Sequence, residues 1–142
     1  MGRVLGIDFG TRRVGIALSD QLRIAAHGFE TISWNGDDDT FVLSRIAAII
    51  SEKEVDAIVI GKPQRTDGSE SESQRKAMKF GEKLSELTGL IPVYRDERFT
   101  TVMASRYLSE SGVSDRNKRK VVDQVAAEII LTEYLESHRM KT

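Results

Sequence analysis

Asp8, Glu97 and Asp123 are the three side chains of this 142-residue sequence with the strongest claim to chemistry. Asp8 interrupts the apolar run from Val4 to Phe9, and a carboxylate at a buried strand position is costly unless it is paired, hydrogen-bonded or bound to metal. Hydrogen bonds to the turn amides of Gly10 and Thr11 would satisfy it without any function. Asp123 shares the i, i+3, i+4, i+7 face of Ala126, Ala127 and Ile130, so it points along an apolar stripe rather than into water. Expected in the first turn of the last helix, it would also gain about 0.3–1 kcal/mol from the helix dipole, again with no function required. Glu97 lies within Arg95-Asp96-Glu97-Arg98, where a solvated, salt-bridged charge run is the plain alternative. Jointly the three acids mean more. Carboxylates brought close together repel one another, and a divalent cation relieves that repulsion. Hard oxygen ligands select Mg2+ or Mn2+ over zinc. A pair of such ions about 4 Å apart can activate water and stabilise the leaving oxygen in phosphodiester hydrolysis.

Other chemistries are scarce. The chain has no Cys, which removes disulfides, thiolate metal sites and Cys nucleophiles. Its two His, His27 in a strand region and His138 in the C-terminal tail, read as structural or solvated. Charged residues make up 30% of the chain but nearly cancel, with a net charge of -1, so any nucleic-acid surface must come from local patterning. Such patterning is present. Arg12 and Arg13 follow the first acid, Lys62 and Arg65 occupy the loop after a central strand, and Arg116, Lys118, Arg119 and Lys120 precede Asp123. From Arg95 to Lys120 there are seven basic residues against four acidic ones. This basic rim suits a phosphate backbone, although a solvated charged face has the same composition. Aromatic residues are only 6% of the chain, so shape and backbone contacts are expected to outweigh base stacking.

The elements that must position these groups can be read from periodicity. Val4–Phe9 and Arg13–Ser19 are short apolar runs joined by Gly10-Thr11-Arg12, as in two antiparallel strands with a tight turn, and Ile24–Ile32 completes a meander. The acidic loop Asn35–Asp39 offers capping chemistry to a helix with Val42, Leu43, Ile46, Ala47, Ile49 and Ile50 at helical spacing. Asp56–Gly61 has the continuous apolarity of a strand buried on both faces. A polar loop from Lys62 to Ser69 leads to a helix over Ser71–Leu87, which stops at Thr88-Gly89. Leu90–Tyr94 is a further strand, with Asp96-Glu97-Arg98 beyond its end and a helix carrying Met103, Ala104, Tyr107 and Leu108 after it. Ser111–Lys120 reads as a basic loop, and the last helix carries Val122, Val125, Ala126, Ile129 and Ile130. The order β β β α β α β α α implies one α/β domain over residues 1–142, a five-stranded mixed sheet with helices on both faces. In such sheets, polar residues at the carboxyl ends of the strands converge on one crevice. The apolar opening is broken by Asp8, and no stretch approaches the roughly 18 apolar residues of a membrane span, so a cytoplasmic protein without a membrane partner is expected. Met1-Gly2 opens the chain, but Gly6 stands where N-myristoylation wants Ser or Thr.

Four ordered segments resemble the successive motifs of the YqgF (RuvX) family. They are Gly6-Ile7-Asp8-Phe9-Gly10-Thr11-Arg12-Arg13-Val14-Gly15-Ile16-Ala17-Leu18-Ser19-Asp20; Val59-Ile60-Gly61-Lys62-Pro63 with Asp67-Gly68; Asp96-Glu97-Arg98-Phe99-Thr100-Thr101; and Asp123-Gln124-Val125-Ala126-Ala127 with Ile130-Leu131. The resemblance implies a ribonuclease H-like fold. It also implies a role as a Holliday junction resolvase or as a nuclease in 5′-end maturation of pre-16S ribosomal RNA. Asp8, Glu97 and Asp123 would then be the catalytic, metal-binding carboxylates, with Arg98 among the cations that hold the phosphate. The sequence departs from the family at Lys62, where an apolar residue usually stands between Gly and Pro, and in the Gln64-Arg65-Thr66 that follows. The expected partner is nucleic acid, either precursor rRNA or branched DNA, and the expected state is a monomer or a homodimer. A junction resolvase cutting two symmetric strands needs the dimer. Two other readings remain open. Asp8-Phe9-Gly10-Thr11 also resembles the first phosphate motif of the actin and sugar-kinase superfamily, whose members bind nucleotide between two such domains where this chain has length for one. A non-catalytic RNA-binding ribosome-assembly factor could keep the acids for metal-stabilised docking.

Overall fold

Alternation of side chains across a pleated strand sends Leu5, Ile7 and Phe9 to one face of the first strand and Val4, Gly6 and Asp8 to the other. That split organises the domain. In the computed structural model, residues 2–62, 72–96 and 115–139 are described, with side chains for all of these except Lys62, Asp96, residues 115–121 and Arg139. The chain runs β1 (Arg3–Phe9), β2 (Arg13–Ser19), β3 (Ala26–Ser33), α1 (Thr40–Glu52), β4 (Val55–Lys62), α2 (Glu72–Thr88), β5 (Val93–Asp96) and α3 (Asp115–Arg139). The strands form one sheet in the order β3-β2-β1-β4-β5. β1, β2 and β3 pair antiparallel, while β4 lies parallel to β1 and β5 parallel to β4. The mixed five-stranded sheet expected from the sequence is therefore present.

Two layers cover it. On one side Leu5, Ile7, Phe9, Val14, Ile16, Ile58 and Ile60 pack against Val42, Ile46 and Ile49 of α1 and Phe80 and Leu84 of α2. On the other, Val4, Ala17 and Val59 meet Ala127, Ile130, Leu131, Tyr134 and Leu135 of α3. Among the described residues, no helix is long and apolar enough to cross a membrane.

The starts of β3, β5 and α3 differ from the sequence reading, as does the capping of α1; β3 begins at Ala26 rather than Ile24. β5 begins at Val93 rather than Leu90, because Pro92 has no N–H to donate to the ladder, and it continues through Asp96. α3 begins at Asp115, so Arg116, Lys118, Arg119 and Lys120 are helical rather than in a loop. Arg and Lys are good helix formers and nothing in Asp115–Lys120 breaks the helix. In the loop before α1, Asn35 Oδ1 accepts from the Asp37 and Asp38 amides and Asp38 Oδ1 from the Thr40 amide. Asp39 makes no capping bond, and its carboxylate reaches Lys83 at 2.9 Å instead. The helix expected around Met103–Leu108 lies outside the described residues.

Candidate metal and nucleic-acid site

Sheet register decides which side chains meet. In the antiparallel pairing of β1 and β2, Asp8 stands opposite Gly15, and in the parallel pairing of β1 and β4 it stands beside Gly61. Directly opposed residues point to the same face, with Cβ positions about 4.5–5.5 Å apart. The row across the sheet thus reads Arg95, Gly61, Asp8, Gly15, Thr31, all facing α3. No side chain from either neighbouring strand stands beside Asp8 in this row, and the carboxylate is buried, at 8% exposed.

Gly15 is what brings Asp123 to Asp8. A Cβ at position 15 would collide with the Asp123 carbonyl and lie 2.9 Å from the Asp123 Cβ. Two more glycines repeat the contact down the helix: at Gly6 a Cβ would sit 2.9 Å from the Leu131 Cβ, and at Gly28 one would sit 3.1 Å from the Gln124 Cβ. Residues 124, 127 and 131 of α3 therefore rest on a glycine- and alanine-lined surface, closer to the strands than a helix facing β-branched residues could come. Gln124 Nε2 donates to Thr31 Oγ1 at 3.2 Å and clips the helix to β3 beside the row of Asp8.

Asp123 sits eight residues into α3, not in its first turn as expected. The helix dipole falls off within one turn, so it does not explain an acid there. What Asp123 has instead is a cation. Arg13 Nε donates to its Oδ2 at 2.7 Å, with the Asp123 side chain 14% exposed and that of Arg13 43%. Arg13, read from the sequence as a phosphate contact, thus lies against the second acid of the site. Upstream, the α3 segment from residue 115 to 122 projects about 12 Å past Asp123 at ~1.5 Å per residue. Arg116, Lys118, Arg119 and Lys120 belong to that projecting turn pair, beyond the carboxyl end of β1.

Of the remaining sequence candidates, Arg12 is exposed in the β1–β2 turn, and its carbonyl accepts the Trp34 backbone N–H at 3.0 Å. Lys62 ends β4, opposite Asp96 of β5. Glu97, Arg65 and Arg98 lie outside the described residues. Among the described residues no three acidic or imidazole side chains cluster tightly enough to hold an ion, and His27 and His138 are far from this edge in sequence and exposed. The two described acids nonetheless fit a hard divalent cation by the chemistry of their donors. Both offer carboxylate oxygens from the same side of the sheet, without sulfur or imidazole. Sequence reasoning missed the positioning residues Gly15, Gly6 and Gly28. Glycine inside a strand signals a close approach of another backbone, which is the clue that was available.

Comparison with known proteins agrees with this architecture. A family model described as RuvX, Holliday junction resolvase, matches residues 2–137. A protein of Agathobacter rectalis named as a candidate pre-16S rRNA nuclease is 42% identical over 135 residues, covering 94% of each chain. One of the same name from Lactobacillus johnsonii is 43% identical over 139 residues, covering 96% of this chain and 97% of its own. Among solved structures, RuvC of T. thermophilus in complex with a Holliday junction substrate superposes with a TM-score of 0.62 at 12% identity, covering 96% of both chains. At that identity the likeness establishes the fold, a RuvC-like ribonuclease H architecture. With its family model matched almost from end to end and relatives above 40% identity along nearly the whole chain, this protein belongs to the RuvX (YqgF) family.

Proposed function

We propose that the protein is a metal-dependent nuclease that hydrolyses phosphodiester bonds in the cytoplasm, in the 5′-end maturation of precursor 16S ribosomal RNA. The observation that carries this reading is the register that sets Gly15 opposite Asp8 and beneath Asp123, so that two carboxylates share one side of the sheet's carboxyl edge. Asp8 and Asp123, with Glu97 as the third acid, would hold the cation. Bound there, Mg2+ or Mn2+ would supply an activated water and charge neutralisation at the leaving oxygen. The chain's own contribution is alignment. Asp8 is fixed by the β-ladder and Asp123 by the glycine contact, and both acids are held before substrate arrives. Arg12, Lys62, Arg65, Arg98, Arg116, Lys118, Arg119 and Lys120 are assigned to the phosphate backbone on either side of the scissile bond. Their contribution should fall steeply as salt rises, because phosphate contacts release counterions.

The names of the relatives support precursor rRNA as the substrate. The description of the family supports a second reading, cleavage of four-way DNA junctions, which requires a dimer to cut two symmetric strands. One experiment separates them. Wild type and Asp8→Asn are incubated with a pre-16S rRNA fragment and a four-way junction, with and without Mn2+. Cleavage of the rRNA fragment by wild type, reduced in Asp8→Asn by at least the roughly 10–100-fold that loss of a group supporting a metal ligand costs, is the expected result. Equal cleavage by both proteins would exclude the carboxylate site. Tight RNA binding with no turnover, with or without Mn2+, would leave an assembly factor in place of an enzyme.

A further inference from the structure

The opposite side of the same strand end carries a second cationic site, and we propose that it is a subsite for an unpaired nucleotide of the substrate strand, a few positions from the scissile phosphate. The inference rests on the nuclease reading for the identity of the strand, and on separate residues for the site itself. Between α2 and the loop from β3 to α1 is a cavity of about 260 Å³, lined among others by Phe9, Trp34, Asp39, Lys76, Lys79 and Lys83. The three lysines stand at i, i+3 and i+7 of α2, so a single helix face carries three like charges, an arrangement that is unfavourable on its own. Lys83 pairs with Asp39 at 2.9 Å, Lys76 approaches Glu72 only at 3.7 Å, and Lys79 makes no ion pair among the described residues. Three lysines of the lining face Asp37 and Asp39, with Glu72 beside Lys76 and Asp38 near Lys83, so the cation left to a ligand is that of Lys79. A phosphate group answers that charge.

The other walls suit a base. Phe9 and Trp34 meet with ring centroids 5.6 Å apart, and Trp34 is half-buried. The indole N–H of Trp34 donates to the Gly10 carbonyl at 2.8 Å, so the aromatic wall is fastened to the turn that follows Asp8 and Phe9. Asp8 faces α3, and Phe9, the next residue, faces the cavity. A polynucleotide with a phosphate at Asp8 therefore has to cross only the sheet's edge to reach the lysines. That path is of the order of one layer spacing, about 10 Å, which a few nucleotides of unpaired strand span. The cavity's size decides the form of the strand. A volume of about 260 Å³ admits one splayed-out nucleotide and excludes a paired helix. The substrate is accordingly single-stranded on the flank that passes α2.

Trp34 is the single tryptophan of the chain, so its emission reports on the cavity directly. In Asp8→Asn, and in wild type with EDTA as a second non-cleaving background, a single-stranded oligoribonucleotide should change Trp34 emission saturably, while a blunt duplex of the same sequence should not. The double variant Lys76→Ala/Lys79→Ala should weaken single-strand binding. It should also lower the steepness of log K against log salt by about 0.7, the value for one phosphate no longer neutralised on a single strand. Both lysines are exposed and Ala is the best helix former, so the fold is retained. Emission that does not move at saturating single strand, or a salt slope equal to that of the parent, would overturn the proposal. Failure of the nuclease reading would show elsewhere, as the absence of Asp8-dependent cleavage by wild type, and would leave both binding signals intact.

Discussion

The same strands present two faces built on opposite principles. Toward α1 and α2 they show Leu5, Ile7, Phe9, Val14, Ile16, Ile58 and Ile60, all buried and all large. Toward α3 they show Gly6, Asp8, Gly15, Ala17, Gly28 and Gly61, relieved by Val4 and Val59. The first face removes much apolar area from water, at about 25 cal/mol per Å², and gives the domain its stability. The second gives up side-chain volume so that a helix backbone can lie almost on the strands, which fixes Asp123 against the row of Asp8. One face holds the fold together, and the other sets distances for chemistry.

Neighbouring residues test that division, because Gly15 and Ile16 point to opposite faces. Gly15→Ala adds one carbon under Asp123, where the new methyl collides with backbone rather than with a flexible side chain. Overpacking of this kind costs about 1–3 kcal/mol and sometimes more, even though Ala is otherwise the better strand residue. The displaced α3 should also reduce cleavage by about 100-fold, as a misplacement of about 1 Å does. Ile16→Val removes one carbon from the opposite face and should cost about 0.5–1.5 kcal/mol with turnover unchanged. Urea denaturation and single-turnover cleavage measure both. If Gly15→Ala cleaves normally, the close contact is packing without catalytic consequence, and the contrast between the faces fails.

A smaller effect sharpens the picture of the α3 face. Arg13 competes with any cation for Asp123, since the guanidinium donates to Oδ2 at 2.7 Å. A half-exposed ion pair is worth up to about 1 kcal/mol. Arg13→Gln should therefore raise affinity for Mn2+ by up to about 5-fold in calorimetry, while affinity for oligonucleotide falls. Weaker Mn2+ binding in Arg13→Gln would mean that Arg13 orients Asp123 for the cation instead of opposing it.

How far this division could be read without coordinates depends on the range of the forces involved. β1, β2, β4, α1 and α2 were legible because alternation and helical spacing are local signals. β5 was misplaced by three residues because Leu90 and Ile91 look strand-like by composition. Ile91 is in fact 85% exposed, and the ladder starts only after Pro92. The start of α3 was misread because its first turns are basic and polar, which resembles a loop when the contacts of the helix are unknown. Asp8 was singled out as a buried acid and is one, and Asp123, read as lying along the apolar stripe of the last helix, is partly buried over the sheet. That they share one side of the sheet was expected from the family motifs, but the device that places them was not legible: Gly15 is 108 residues away from Asp123 and says nothing by itself about what lies above it. The Arg13–Asp123 pair was hidden for the same reason, and Arg13 looked like part of a basic rim.

The smallest expected effect concerns acid, and it bears on the α1 side alone. Glu30 of β3 lies opposite Ile16 and so faces α1, where Arg45 donates to both of its oxygens, Nε at 2.9 Å and Nη2 at 2.7 Å. This arginine holds the Glu30 carboxyl below its ordinary value. Because the folded value is depressed, the stability contributed is complete above the unfolded carboxylate value, about 4.3, and is lost as pH falls through the folded one. Asp20, Asp38 and Asp56 are also held low, chiefly by hydrogen bonds from Ala25, Thr40 and Gly2, so the acid limb of wild type is a sum over several groups. The difference between wild type and Glu30→Gln isolates one of them. Glu30→Gln should be slightly less stable at pH 7, and the two urea midpoints should converge between pH 5 and pH 3. On the other face, Gln124 clips α3 to the same strand through Thr31 without any charge. Relative to the intrinsic rate at each pH, hydrogen exchange at low pH should accordingly quicken in α1 before it does in the middle of α3. Equal quickening of both helices would show that β3 loosens as a unit, and that its two faces are not independent where it forms the sheet's edge.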